Sequence, residues 1–186
     1  NGARLSNRWD VIAGALSSDP KTAKSAGQKW HFDPDRCYLD YTAMAKAEAA
    51  RPDGIDAVAI VTPNHLHAPV ALEFMKQGID IICDKPVTAR LEEVAELTAE
   101  QKRSGVFFGV TYAYASHPMI RQAREMVLSG DLGKISQVHV EYFQDWAIDL
   151  TDEQANAPWR LDHKKSGPSF TVADIGTHAE LSLIHI

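Results

Sequence analysis

The sequence predicts an α/β fold. It reads as a doubly wound parallel sheet, incomplete within this chain, followed by the start of an α+β domain with an open antiparallel sheet. Three observations carry that prediction. Short apolar runs alternate with helical stretches from residue 9 to residue 112, and right-handed helical crossovers gather such strands into one parallel sheet. Two of the runs, Ile55–Thr62 and Ile79–Cys83, are nearly continuous in apolar residues, as in strands buried on both faces. Later in the chain, Ile135–Trp146 alternates apolar and polar residues, the mark of a strand with one solvated face. The domains are accordingly set at residues 1–115 and 116–180, with the change of style between 114 and 133.

Each element has its own signal. Trp9–Leu16 reads as a strand. The helix after it takes Asp19 or Ser18 as N-cap, Pro20 at its first position and Gly27 as its stop. Asp40–Ala50 is helical by its alanine content. After the strand Ile55–Thr62, the stretch beginning at Pro63 turns into a helix that runs to Gln77, with Gly78 as its cap. Beyond the strand Ile79–Cys83, Thr88–Gly105 carries Leu91, Val94, Ala95, Leu97 and Thr98 at helical spacing. Val106–Tyr112 is the next strand, and Pro118–Gly130 is a helix opened by proline and closed by glycine.

Composition narrows the function classes. The 186 residues suit one domain of ordinary size, and 45% hydrophobic with 24% charged residues is a globular composition. A formal net charge of −6 gives no electrostatic reason to expect nucleic acid or an anionic membrane. No apolar run reaches the roughly 18 residues of a spanning helix. Cys37 and Cys83 make neither a disulfide framework nor a metal set. Cys83 lies in an apolar run, where a buried inert thiol is expected, and a reducing, cytoplasmic location follows. Asn1-Gly2 is not an initiator start, so an upstream piece, a signal peptide included, stays open. The tail Leu181–Ile186 resembles a translated sequencing adapter. It reads either as read-through beyond a native end near Glu180 or as a genuine final helix.

Ligands of open parallel sheets bind at the carboxyl ends of the strands. Three such ends are chemically rich: Ser17-Ser18, then Thr62-Pro63-Asn64-His65-Leu66-His67, then Asp84-Lys85-Pro86. Lys85 reads either as a solvated strand-end lysine or as a group that stabilises a developing alkoxide or relays a proton. Pro86 restricts it to extended geometry. Asp174 and His178 stand four apart in "ADIGTHAE"; on one helix face they are either a surface ion pair or a proton-shuttling acid–histidine pair. His65 and His67 are spaced as a metal pair, but no third ligand is evident. Isolated His31, His117, His139 and His163 read as surface or packing residues. Trp159-Arg160 offers either an aromatic wall and cation for a polyol site or a loop anchored by a buried tryptophan.

Taken in order, "VTPNHLHAPVA", Asp84-Lys85-Pro86 and the D-x-G-x-H of Asp174, Gly176 and His178 resemble the Gfo/Idh/MocA-type oxidoreductases over about Trp9 to Glu180. That resemblance implies a Rossmann-type NAD(P)-binding domain followed by a substrate domain. It implies hydride transfer between a nicotinamide cofactor and a carbinol or carbonyl carbon of a sugar or cyclitol. Lys85 would hold the substrate hydroxyl and tune the proton transfer, His178 would be the general acid/base, and Asp174 would bind a substrate hydroxyl. Thr62, Pro63, Asn64 and His67 would contact the cofactor, and Asp84 would sit under its ribose. Tyr112, Trp159 and Arg160 join the substrate set. No carboxylate of the kind that usually selects NAD stands at Ser17 or Ser18, though Asp19 is close; with Lys21 nearby the lean is to NADP. The expected partner is a small sugar or polyol, with a homo-oligomer for the intact protein.

Some features depart from that family. The G-x-G-x-x-G phosphate loop is absent, and the chain reads as starting in the helix beyond it. Most of the second domain's sheet is absent too, so the piece is expected not to turn over alone. Ser169 and Phe170 stand where small glycines are usual, and Ala113 where many relatives are polar. Two rival readings share the fold: a glycosidase using bound NAD transiently, and a non-catalytic sugar sensor. Retention of Lys85, Asp174 and His178 together argues against the sensor.

Overall fold

The computed structural model describes residues 2–145, 148 and 159–185. Trp146 and Ile186, the last residues of the expected strand Ile135–Trp146 and of the tail, lie outside the described residues, as does Asn1. The helices are α1 (Gly2–Leu5), α2 (Pro20–Trp30), α3 (Tyr41–Ala49), α4 (His67–Lys76), α5 (Glu92–Ser104), α6 (Pro118–Ser129), α7 (His163–Ser166) and α8 (Thr177–His185). The strands are β1 (Ala57–Ile60), β2 (Asp80–Asp84) and β3 (Phe108–Thr111), in one sheet of order β1-β2-β3. α4 links the first pair and α5 the second, and the strands run parallel, as helical crossovers require. No described helix is long and apolar enough to cross a membrane.

Local chemistry explains several helix ends. Asp19 caps α2, accepting from the Thr22 amide at 2.8 Å and the Thr22 hydroxyl at 2.6 Å, with Pro20 at the first helical position. Asp40 caps α3 through the Thr42 and Ala43 amides. Gly130 ends α6 at φ 82°, a left-handed conformation that costs glycine little.

The chain divides into two compact units interleaved in sequence. Unit 1 holds residues 1–59, 69–81 and 97–108; unit 2 holds 60–68, 82–96 and 109–186. Unit 1 buries Phe32, Met44, Val58, Phe74, Met75, Ile81 and Leu97 among its apolar residues. At its edge Arg36, 5% exposed, donates to both Glu48 oxygens and to Asp53 O at 3.1 Å. Tyr38 donates its hydroxyl to Glu48 at 2.8 Å. In unit 2 the buried apolar residues are Ile60, Ala68 and Cys83, whereas Asn64, His67, Ser166 and His178 are buried and polar. Buried polar groups need partners: unit 1 has the Arg36–Glu48 pair, and unit 2 has these four residues.

Several expectations are corrected. Trp9–Leu16 forms no strand: its one pairing is an isolated parallel bridge of Gly14 with Cys37, and one bridge does not propagate a ladder. Gly27 does not stop α2. It lies within the helix, where a Cβ would come 2.3 Å from Cys37 Sγ, and the helix ends at His31 in the left-handed region. β1 is not buried on both faces, since Ala59 is exposed beside buried Val58 and Ile60. α5 starts at Glu92 rather than Thr88, and of the residues at helical spacing only Leu97 is buried; Leu91 is 82% exposed. Residues 135–145 are irregular and leave Ile135, Val138, Val140 and Phe143 exposed. A strand needs a partner's ladder, and no described strand pairs with this segment.

Candidate active site

The carboxyl ends of the three strands and the residues after them belong to unit 2. From β2 the chain runs through Asp84 to Lys85 and Pro86. Asp84 Oδ1 accepts from the Lys85 amide at 3.0 Å and from Thr111 Oγ1, at the end of β3, at 2.7 Å. That shared acceptor ties the tips of β2 and β3 together. Lys85 Nζ donates to Asp174 Oδ1 at 2.8 Å and also to the Asp174 backbone carbonyl. The side chains keep only 14% and 24% exposure, so the pair is sheltered from bulk water without being dry.

Asp174 and His178 are not on one regular α-helix as expected. A single π-helical stretch, Val172–Gly176, precedes α8, and π-turns recur at functional sites. His178 is 8% exposed, and its Nδ1 is buried with no partner among the described residues. Burial first, and the Lys85 charge second, hold its pKa below the usual histidine value, against the opposing pull of Asp174 and Asp84. The imidazole is therefore favoured neutral, with a lone pair or an N–H to offer. Three tyrosine rings surround it: Tyr114 edge-on at 4.4 Å, Tyr112 at 6.3 Å and Tyr142 stacked at 6.4 Å between centroids. A hydrogen bond with Tyr142 raises the Tyr114 phenol.

The expected cofactor residues separate by environment. Thr62 Oγ1 is buried with no partner among the described residues. Pro63 caps the turn Asn64–Leu66. Asn64 spends its amide on the Ser166 carbonyl at 2.9 Å, drawing α7 onto this tip, where Gly167 packs so closely that a Cβ would meet Ala89 O at 2.4 Å. His67 is 1% exposed with both ring nitrogens facing carbonyl oxygens, so it presents nothing to a ligand and has no free nitrogen for a metal. Ser17 and Ser18 lie in unit 1, where Ser17 Oγ accepts from the Asp19 amide. Trp159 and Arg160 pair with each other, the guanidinium 4.8 Å from the ring centroid.

Sequence reasoning missed Tyr114, Tyr142 and Thr111. Tyr114 stands two residues past Tyr112 in "TYAYAS", a repeat of aromatics that was the available signal. Cys83, by contrast, is fully buried as expected, and burial pushes its thiol up to about 12.

Residues 3–112 match the oxidoreductase family model with an NAD-binding Rossmann fold, and residues 120–185 match a Gfo/Idh/MocA C-terminal domain. The chain belongs to the Gfo/Idh/MocA oxidoreductase family. The uncharacterized oxidoreductase YfiI of Bacillus subtilis is 33% identical over 94% of this chain and 45% of its own length. Levoglucosan dehydrogenase of Pseudarthrobacter phenanthrenivorans is 31% identical over 90% of this chain and 40% of its own. The solved structure of an inositol dehydrogenase homolog from Azotobacter vinelandii in complex with NAD+ superposes with a TM-score of 0.87 at 37% identity, covering 96% of this chain and 46% of that one. The chain thus spans less than half the length of the relatives it matches. Within this Gfo/Idh/MocA chain, the Lys85–Asp174–His178 group comes from both matched regions.

Proposed function

We propose that the protein is an NAD(P)-dependent dehydrogenase that moves a hydride between a nicotinamide cofactor and a carbinol or carbonyl carbon of a sugar or cyclitol. The observation that carries the reading is the Lys85–Asp174 pair at 2.8 Å beside a buried, neutral-favoured His178 whose Nδ1 has no partner among the described residues. A polyol presents adjacent hydroxyls, which an ammonium, a carboxylate and an imidazole bind in complementary ways.

The residues fit a nicotinamide cofactor. Thr62 Oγ1, just past the carboxyl end of β1, is buried with no partner among the described residues, and such a group suits a ligand partner. Thr62, Pro63 and Asp84 would hold the nicotinamide and ribose end, and Ser17 and Ser18 the adenosine ribose. The lean to NADP rests on the absence of a carboxylate at Ser17 and Ser18 with Lys21 nearby. When bound, the cofactor supplies the hydride acceptor or donor. The chain's own residues do the rest. His178 takes the proton from the reacting hydroxyl, or returns it in the reverse direction. Lys85 stabilises negative charge on that oxygen. Asp174, held by Lys85, accepts from a neighbouring substrate hydroxyl and fixes the ring.

The test is Lys85→Ala in the full-length protein, followed by cofactor absorbance on a sugar and cyclitol panel. A fall in kcat of about 10²-fold or more is expected for loss of a positioned charge and proton handler. An unchanged kcat/KM would remove Lys85 from the chemistry. The ratio of kcat/KM with NADP to that with NAD decides the lean, and a value well below one reverses it.

A further inference from the structure

His67 lies outside the groups that touch a ligand, yet it is among the most buried polar residues, at 1% exposure. Its Nδ1 lies 2.7 Å from Pro86 O and its Nε2 2.9 Å from Thr62 O. Both oxygens only accept. One neutral tautomer donates to Pro86, the other to Thr62, and the imidazolium donates to both; in every form a ring N–H is the donor. The two carbonyls come from different strand tips. Thr62 follows β1 and carries the orphan hydroxyl, while Pro86 directly follows Lys85. The rigid ring, set at the first residue of α4, therefore lies between the tip that bears the expected cofactor residues and the tip that bears Lys85, donating to at least one of them in every form.

We propose that His67 is a positioning residue: it holds the segments that follow β1 and β2, at Thr62 and Pro86, in place against each other, and so fixes where Lys85 Nζ meets Asp174 and His178. The proposal rests on the reading of Lys85, Asp174 and His178 as the reacting group. Other bonds steady Lys85 from the far side, through Asp84 and Thr111, but they link β2 to β3; the ladder sets the spacing of β1 and β2 themselves, and Thr62 and Pro86 lie two residues beyond its strand ends. A flexible side chain cannot replace the ring. An amide offers its two N–H groups from one nitrogen, whereas the imidazole places its nitrogens on opposite edges to face two separate oxygens. Displacing a reacting group by about 1 Å is enough to cost about 10²-fold in rate.

The experiment compares wild type, His67→Ala, His67→Gln and Lys85→Ala in the full-length enzyme, reading kcat, KM and the pH profile of kcat/KM. His67→Ala is expected to lower kcat by about 10- to 10²-fold with a smaller change in the sugar KM. Its acidic limb should also move up in pH. Among the described residues, the charged groups facing His178 are Lys85, which depresses its pKa, and Asp174 and Asp84, which raise it; the rings of Tyr112, Tyr114 and Tyr142 lie near it. Releasing Lys85 removes the depressing charge. A merely structural histidine would lower thermal stability and leave that limb in place.

A folded His67→Ala enzyme with wild-type kcat and acidic limb overturns the proposal. If His67→Ala does not fold, His67→Gln carries the test, because it keeps one donor: a partial loss of kcat is expected, and a wild-type profile overturns the idea. In isotope-labelled wild type, scalar coupling across a hydrogen bond from a His67 ring nitrogen to the Pro86 or Thr62 carbonyl carbon is expected, and absence of both couplings overturns it whatever the variants do. Lys85→Ala separates the two levels. If it too leaves kcat unchanged, the active-site reading has failed; if it is inactive while the His67 variants are normal, only the positioning role has.

Discussion

Replacing Glu48 by Gln tests the buried charge cluster of unit 1 most directly. The change keeps the side chain's shape and removes its charge. Arg36 then loses the carboxylate that receives its Nε at 3.1 Å and one of its terminal nitrogens. The side chains of this pair are 7% and 0% exposed, so water does not replace what is lost. Removing one partner of a buried pair costs about 3–5 kcal/mol. Two features argue for the lower end. Asp53 still offers its carbonyl at 3.1 Å and a carboxylate oxygen at 3.4 Å, and the glutamine carbonyl still accepts from Tyr38. A loss of about 3 kcal/mol, with a urea slope of about 2 kcal/mol/M, moves the unfolding midpoint down by roughly 1.5 M. The double variant Arg36→Met/Glu48→Leu should recover most of that loss, because an apolar pair carries no desolvation penalty. A Glu48→Gln cost below about 1 kcal/mol, or a double variant as unstable as the single, would refute the reasoning.

Other predictions follow from single contacts. The kcat/KM profile for alcohol oxidation should be flat near neutrality and fall only below the ordinary histidine pKa of 6.5, because burial and Lys85 lower the pKa of His178; Lys85→Met should shift that limb upward, and a limb above 6.5 in wild type contradicts the assignment. Tyr38 is pushed up to about 12 by burial and then by Glu48. The folded phenol thus keeps a proton that the unfolded one releases near 10, and stability falls as pH rises from about 10 to about 12; denaturant titrations across that window read it. Gly27→Ala should destabilise by about 1–3 kcal/mol despite its better helix propensity, since the new Cβ meets Cys37 Sγ at 2.3 Å, and a raised melting temperature would disprove the clash. Asp19→Ala should cost about 1 kcal/mol through loss of the α2 cap, measurable by thermal unfolding.

What was legible in the sequence was local. Asp19, Pro20, Asp40, Pro118 and Gly130 announce helix ends because a cap is satisfied within three or four residues of chain. The segments 9–16 and 135–145 carry strand-like patterns but do not become strands, because pairing depends on a partner elsewhere in the chain that the pattern does not encode. The Lys85, Asp174 and His178 motifs could be read, and the structure brings those residues into one cluster. Their surroundings could not be read. Tyr142 reaches the imidazole across 36 residues of sequence, and the two-sided engagement of His67 is visible only once Thr62 and Pro86 are placed.

The interleaving of the two units has a consequence for how the chain matures as it leaves the ribosome. Asn64 is bonded to the carbonyl of Ser166, 102 positions later, and unit 2 draws on three separate stretches of chain. Its first stretch must therefore wait, with the Asn64 amide still lacking the Ser166 carbonyl, until the last has been synthesised. No single cut releases unit 2 as one continuous piece, so a protease nick or a stop codon between residues 96 and 159 costs more than the segment it removes: it leaves the earlier stretches without the partners that would complete them.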